Sequence, residues 1–156
     1  MRFALAIRFD IGLVWIEKPY DVAVPPDKSL MYNFLPIAYF ENQFIPFENA
    51  KLSIATHALH YGTGAFGGLR GIPAPHNSQE ILLFRLDRHC QRLAQSAKFL
   101  NFDLSADRIQ SAIIDFVQKN QPQVPFYIRP FIYTSDLGIA PRLHDVEKSF
   151  FIYGIE

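Results

Sequence analysis

The sequence predicts an α/β domain of the α+β type: a mixed sheet covered by two helices. Three observations carry this. Two stretches, 86–100 and 105–120, repeat apolar residues at helical spacing. Short apolar or alternating runs of strand length lie on both sides of that pair. Gly, Pro and Asn punctuate the joins. Strands, then two helices, then strands again make one sheet with helices packed on it.

The elements follow in order. Ile37-Ala38-Tyr39-Phe40 and Phe44-Ile45-Pro46-Phe47 flank Glu41-Asn42-Gln43, which is hairpin spacing. Pro46 confines the second run to an edge or a strand end, because it has no N–H to give. Phe47 to Leu52 reads as a turn. His57 to Arg70 then brings four glycines within positions 62–68, between two histidines and an arginine. Such density implies positive φ or a close approach that no Cβ would allow. On local chemistry alone it is a glycine-rich turn followed by a strand. Side chains alternate along a strand, so Phe66, Gly68 and Arg70 share a face. Ile72 to Ser78 reads as a loop and Ile81 to Phe84 as the returning strand, a hairpin with a long tip.

Leu86, Cys90, Leu93, Ala97 and Leu100 form one helical stripe, with Asp87 in the first turn where a carboxylate suits the dipole. Arg92 and Ser96 border that stripe; a bordering arginine is ordinarily a snorkelling residue. Ser105 caps a second helix to about Asn120, burying Ile109, Ile113, Phe116 and Val117. Val124 to Thr134 is a strand on which Tyr127 and Arg129 point the same way, and Pro130 predicts an edge or a bulge beside them. Asp136 to Pro141 is a loop, and Phe150 to Ile155 a last strand within which the chain ends. Residues 1–30 read as a poorly ordered extension with one short strand over 11–16; Met31 is the expected natural start, and 31–156 the ordered domain.

The totals exclude several classes. Fifteen basic residues balance fifteen acidic ones among 156, so nothing favours nucleic acid or an anionic membrane. No apolar run approaches the ~20 residues of a membrane span. The one cysteine, Cys90, forms no internal disulfide, suits a reducing compartment and, on its stripe, is a small core residue. No ligand cluster suggests a metal. A cytoplasmic location is expected.

Three separated places offer related chemistry: Tyr61 and Phe66, then Arg92, then Tyr127 with Arg129. Arginines bind phosphate and carboxylate through a planar fork, and tyrosine hydroxyls orient a ligand on an apolar wall. His57-Ala58-Leu59-His60-Tyr61-Gly62, Phe66-Gly67-Gly68-Leu69-Arg70, the Phe84…His89…Gln91-Arg92-Leu93…Ser96-Ala97 spacing and Tyr127-Ile128-Arg129-Pro130 together resemble the class IV aminotransferases. Within that family they look most like the branched-chain amino-acid aminotransferases, over about Pro36 to Ile155.

The resemblance implies a small N-terminal domain of a larger enzyme that uses pyridoxal 5'-phosphate. The activity implied is transfer of the amino group of Leu, Ile or Val to 2-oxoglutarate. Arg92 would hold the cofactor phosphate. Tyr127 would help bind the α-carboxylate, and Arg129 the distal carboxylate of glutamate or 2-oxoglutarate. Tyr61 would assist across the interface of a homodimer or higher oligomer, Phe66 would line the side-chain pocket, and Gly68 would keep its wall open. His57 and His60 remain packing and hydrogen-bonding residues. The family's Schiff-base lysine belongs to a further domain, and none of Lys18, Lys28, Lys51, Lys98, Lys119 and Lys148 matches its motif. The chain is therefore expected to be inactive by itself, with weak or no cofactor binding. Gly67 stands where many branched-chain enzymes carry a glutamate. The alternatives are a D-amino acid transaminase or aminodeoxychorismate lyase of the same fold, and a non-catalytic half pairing with a separate chain.

Overall fold

The computed structural model describes residues 6–9, 12–15, 32–74, 77–123 and 125–156. The chain divides into residues 1–31 and 32–156. In the first unit β1 (Ala6–Phe9) pairs antiparallel with β2 (Gly12–Trp15). β2 is the strand expected over 11–16, and β1 is an addition to that reading; residues 1–5, 10–11 and 16–30 of the expected N-terminal extension lie outside the described residues.

The second unit is one sheet with two long helices. Its strands are β3 (Ile37–Phe40), β4 (Gln43–Pro46), β5 (Gly64–Phe66), β6 (Leu69–Ala74), β7 (Asn77–Leu83), β8 (Phe126–Thr134) and β9 (Lys148–Ile155). They lie in the order β4-β3-β9-β8-β6-β7, with β5 also paired to β8. The expected sheet is therefore present, but every pairing among the described strands is antiparallel rather than mixed. Glu41 and Asn42 both take positive φ in the two-residue turn between β3 and β4, the backbone that matches strand twist. Pro46 ends the edge strand β4, where its missing N–H costs nothing.

Pro130 behaves differently from the sequence expectation. It lies in β8, which has partners on both sides, so it is on no edge. It makes no bulge either, because Phe66 faces Phe131 and Leu69 faces Ile128 in one uninterrupted register. β5 and β6 are thus one strand, broken only at Gly67 and Gly68. Gly67 N–H donates to the Pro130 carbonyl at 2.9 Å, but proline has no N–H to return. The effect of the proline is confined to that one ladder bond.

Two further local readings change. β6 runs on through Pro73 to Ala74, with a register shift there, so the hairpin tip is shorter than the expected loop. His57–Tyr61 forms a one-turn helix, α1, ended by Gly62 at φ 63°. That left-handed residue is what the glycine supplies.

α2 (Leu86–Phe99) and α3 (Ala106–Asn120) cover one face of the sheet. α2 buries Cys90, Leu93 and Ala97; α3 buries Ile109, Ala112, Ile113 and Phe116. They meet Leu69, Phe126, Ile128, Ile132, Phe150 and Ile152 in the core. Ser105 caps α3 by accepting from the Arg108 N–H at 3.2 Å. Asn120 fastens the far end, accepting from Ile37 N–H at 3.0 Å and donating to the Ile37 carbonyl at 3.2 Å. The alternate residues of the same strands form the other face, which carries the candidate site.

Candidate functional site

Register builds the site. In antiparallel pairs, directly opposed residues share a face. On β8 the face away from the helices carries Tyr127, Arg129 and Phe131. Arg70 lies opposite Tyr127 and Phe66 opposite Phe131, and the continuous register sets Gly68 opposite Arg129. On the other flank, β9 sets Ile155, Tyr153 and Phe151 opposite the same three residues.

Arg129 is the centre of this lattice. Its Nε and Nη2 donate to the Tyr127 hydroxyl at 3.2 and 3.1 Å. Its guanidinium lies over the Phe66 ring, 4.5 Å from the centroid, a cation–π distance. The Tyr127 hydrogen bond pushes Arg129 above its ordinary range; burial opposes it, and Tyr153 adds weaker charge and polar contacts in the same direction. The cation is permanent. Gly68 explains how the tyrosine fits: a Cβ there would collide with the Tyr127 hydroxyl. Phe66, 52 % exposed, stacks parallel to Phe131 at 6.3 Å, and Phe131 stacks on Phe151 at 5.1 Å. A fixed cation with unused N–H donors on a wall of aromatic rings suits a carboxylate attached to an apolar chain.

Of the residues singled out from the sequence, Phe66, Gly68, Tyr127 and Arg129 come together. Arg92 is exposed on α2, next to Leu93, whose side chain packs toward Gly67. Among the described residues nothing accepts a hydrogen bond from its guanidinium. An exposed arginine with every donor free fits a phosphate. Tyr61 lies on α1, tilted against His57 at 4.6 Å, and its hydroxyl donates to the Ile139 carbonyl. His57 is buried, with Nδ1 2.9 Å from the Thr63 hydroxyl and Nε2 2.9 Å from the Ala140 carbonyl. Nε2 therefore donates to that carbonyl, a structural role like that of His60, whose Nε2 bonds the Ile54 carbonyl at 2.8 Å. Of the described lysines, Lys98 and Lys119 lie on the helices, Lys148 begins β9, and Lys51 follows the turn after β4.

Sequence reasoning missed Phe131, Phe151 and Tyr153. Their alternation was visible, but the β8–β9 register that sets them around Arg129 was not. Beside them an apolar cleft of about 210 Å³ runs between Phe34, Phe40, Phe47, Phe151 and Tyr153. A larger, open groove of about 520 Å³, lined by Glu41, Asp136, Glu147 and Lys148, contains none of the predicted site residues.

The chain resembles known proteins in both sequence and fold. The family described as Amino-transferase class IV matches residues 76–154. A probable branched-chain-amino-acid aminotransferase of Synechocystis is 67% identical over 126 residues, 81% of this chain and 41% of that protein. The solved Escherichia coli branched-chain amino acid aminotransferase superposes with TM-score 0.69 at 31% identity, covering 77% of this chain and 39% of its own. The Thermobaculum terrenum branched-chain amino acid aminotransferase, solved in its PLP form, gives TM-score 0.66 at 27% identity, over 76% and 39%. The chain belongs to the class IV aminotransferase family. It spans about two fifths of the length of the relatives just named.

Proposed function

We propose that this chain is the substrate-reading part of a branched-chain amino-acid transaminase, exchanging the amino group of Leu, Ile or Val with 2-oxoglutarate. The observation that carries the reading is the Arg129 guanidinium, tied to Tyr127 across Gly68 and lying over Phe66. Such an enzyme must accept an aliphatic side chain and a distal carboxylate in one place. Here an aromatic wall and a cation adjoin.

Each residue then has a task. Phe66 shapes the aliphatic pocket, and Gly68 leaves room for the Tyr127 hydroxyl. Tyr127 helps orient the α-carboxylate, and Arg129 takes the distal carboxylate by its remaining N–H edge. Tyr61, 37 % exposed, contributes to the site of a second copy in a homodimer. Arg92 holds the phosphate of pyridoxal 5'-phosphate. That group, when bound, supplies the electron sink for moving a proton at the substrate α-carbon. No residue of this chain is assigned the amine that such chemistry requires, since none of its six lysines matches the family's lysine motif. Residues 31–156 act as the small domain, and a cytoplasmic setting accords with balanced charge and one buried thiol.

The reading is tested by binding. The chain should bind 2-oxoglutarate and 4-methyl-2-oxopentanoate, and Arg129→Ala should weaken only the former, by about tenfold or more, the effect of losing a charged hydrogen-bond pair. Equal binding of 2-oxoglutarate by both forms would overturn it. Mixed with pyridoxal phosphate, L-leucine and 2-oxoglutarate, the chain alone should give no turnover. Sustained turnover would mean that one of the six lysines serves after all.

A further inference from the structure

Tyr153 adjoins Arg129 and has no task in the reading above. β9 sets it directly opposite Arg129 on the open face, where opposed side chains are neighbours. Its ring is held by neighbours: Phe34 at 6.0 Å, Phe47 at 6.3 Å and Phe151 at 6.3 Å. It is half-buried and forms part of the wall of the apolar cleft. Its phenol is the polar atom of an otherwise aromatic row, on the flank of Arg129 away from Tyr127 and Phe66.

The other neighbours of Arg129 show what this position offers. Along its own strand the Tyr127 hydroxyl takes the Nε edge. The Phe66 ring supports one face of the guanidinium. On the β6 flank stands Gly68, which has no side chain. On the β9 flank stands Tyr153. An arginine side chain has several free torsions, and a carboxylate is bound bidentately only when the fork is already oriented.

We propose that Tyr153 is a positioning residue for Arg129. Its ring and phenol confine the guanidinium against Phe66 and Tyr127 and keep its free N–H edge turned toward the distal carboxylate of a dicarboxylic acid. The proposal rests on the reading of Arg129 as a carboxylate reader. It makes Tyr153 a determinant of dicarboxylate against monocarboxylate preference, acting through Arg129 and not by touching the ligand.

The test uses the full chain, labelled with ¹⁵N-arginine, with glutarate and 4-methylpentanoate as probes. The Arg129 Nε–Hε cross-peak is assigned by its loss in Arg129→Lys. Tyr153→Phe keeps the ring contacts and removes the phenol oxygen. In that variant the cross-peak should shift or broaden. The glutarate Kd should rise about threefold or more as the fork loses its orientation, while 4-methylpentanoate binding changes less than about twofold. An unchanged cross-peak with unchanged glutarate affinity would overturn the proposal, and so would equal weakening of both probes. In the unsubstituted chain a nuclear Overhauser effect should link Arg129 Hε to the Tyr153 ring, and its absence would overturn the proposal without any variant. Arg129→Lys separates the two levels: if it leaves glutarate binding unaltered, the carboxylate reading fails, while the cross-peak response to Tyr153→Phe still decides the positioning role.

Discussion

Ile128 and Ile132 of β8 have no exposed surface, whereas Arg129 and Phe131, each one residue along, stay half-exposed. One backbone thus serves two environments. The even-numbered residues meet α2 and α3 in a close-packed core, where any change of volume is felt. On the other side Phe131 stacks on Phe66 and Phe151, and Arg129 lies over Phe66 with donors unused. Strand alternation lets the same strand anchor a fold and present a candidate ligand site without compromise between them.

The comparison can be broken by matched substitutions on the two faces. Ile132→Ala should cost about 3 kcal/mol and Phe131→Ala only about 1, because a cavity forms in the core but not on the open face. Denaturant unfolding reads both; equal losses would mean the faces are not mechanically distinct. Glycines give a sharper pair. A Cβ at Gly71 would strike the ring of Phe126, which is 3 % exposed, while one at Gly68 would strike the movable Tyr127 hydroxyl. Gly71→Ala should therefore destabilise by about 2 kcal/mol, and Gly68→Ala by less than about 1. Gly68→Ala should instead lower 2-oxoglutarate affinity by displacing Tyr127, and a large stability loss there would count against this assignment.

Tyr127→Phe removes the acceptor of two Arg129 donors on the half-exposed face. It should change stability by less than about 1 kcal/mol and weaken 2-oxoglutarate binding several-fold, as titration would show. The smallest effect belongs to Cys90. Burial, followed by the charge of Asp87, pushes its thiol up to about 11 from an ordinary 9.0. A raised value means the folded chain holds the proton more tightly, so this group's contribution to stability is complete below pH 9 and is lost as pH rises toward 11. Near neutrality it should be silent, and alkylation of the folded chain should be far slower than that of the denatured chain. Rapid modification of the native protein would show the stripe to be open.

Much of the covered face was legible in the sequence, since Leu86 to Leu100 and Ser105 to Asn120 carry their own periodicity and cap. The open face was legible in part. Phe66, Gly68, Tyr127 and Arg129 stood out as residue types, and alternation set the last two on one side. Tyr153 and Phe151 were missed because their roles depend on which residue of β9 faces which residue of β8, a long-range register that local pattern does not encode. Pro130 was misread for the related reason that an edge and a tolerated interior gap look alike until the partner strand is known.

That gap opposite Gly67 also bears on how the sheet finds its alignment. A slip of one residue would turn Arg129 into the core and Ile128 out of it. A slip of two would keep the faces but carry the missing donor to Ala65 or Leu69, and would set Arg129 opposite Phe66 or Arg70 instead of Gly68. The proline and the glycine pair act like the notch and ward of a lock: among alignments that bury the right residues, they single out the one that sets Arg129 beside Tyr127 and Phe66.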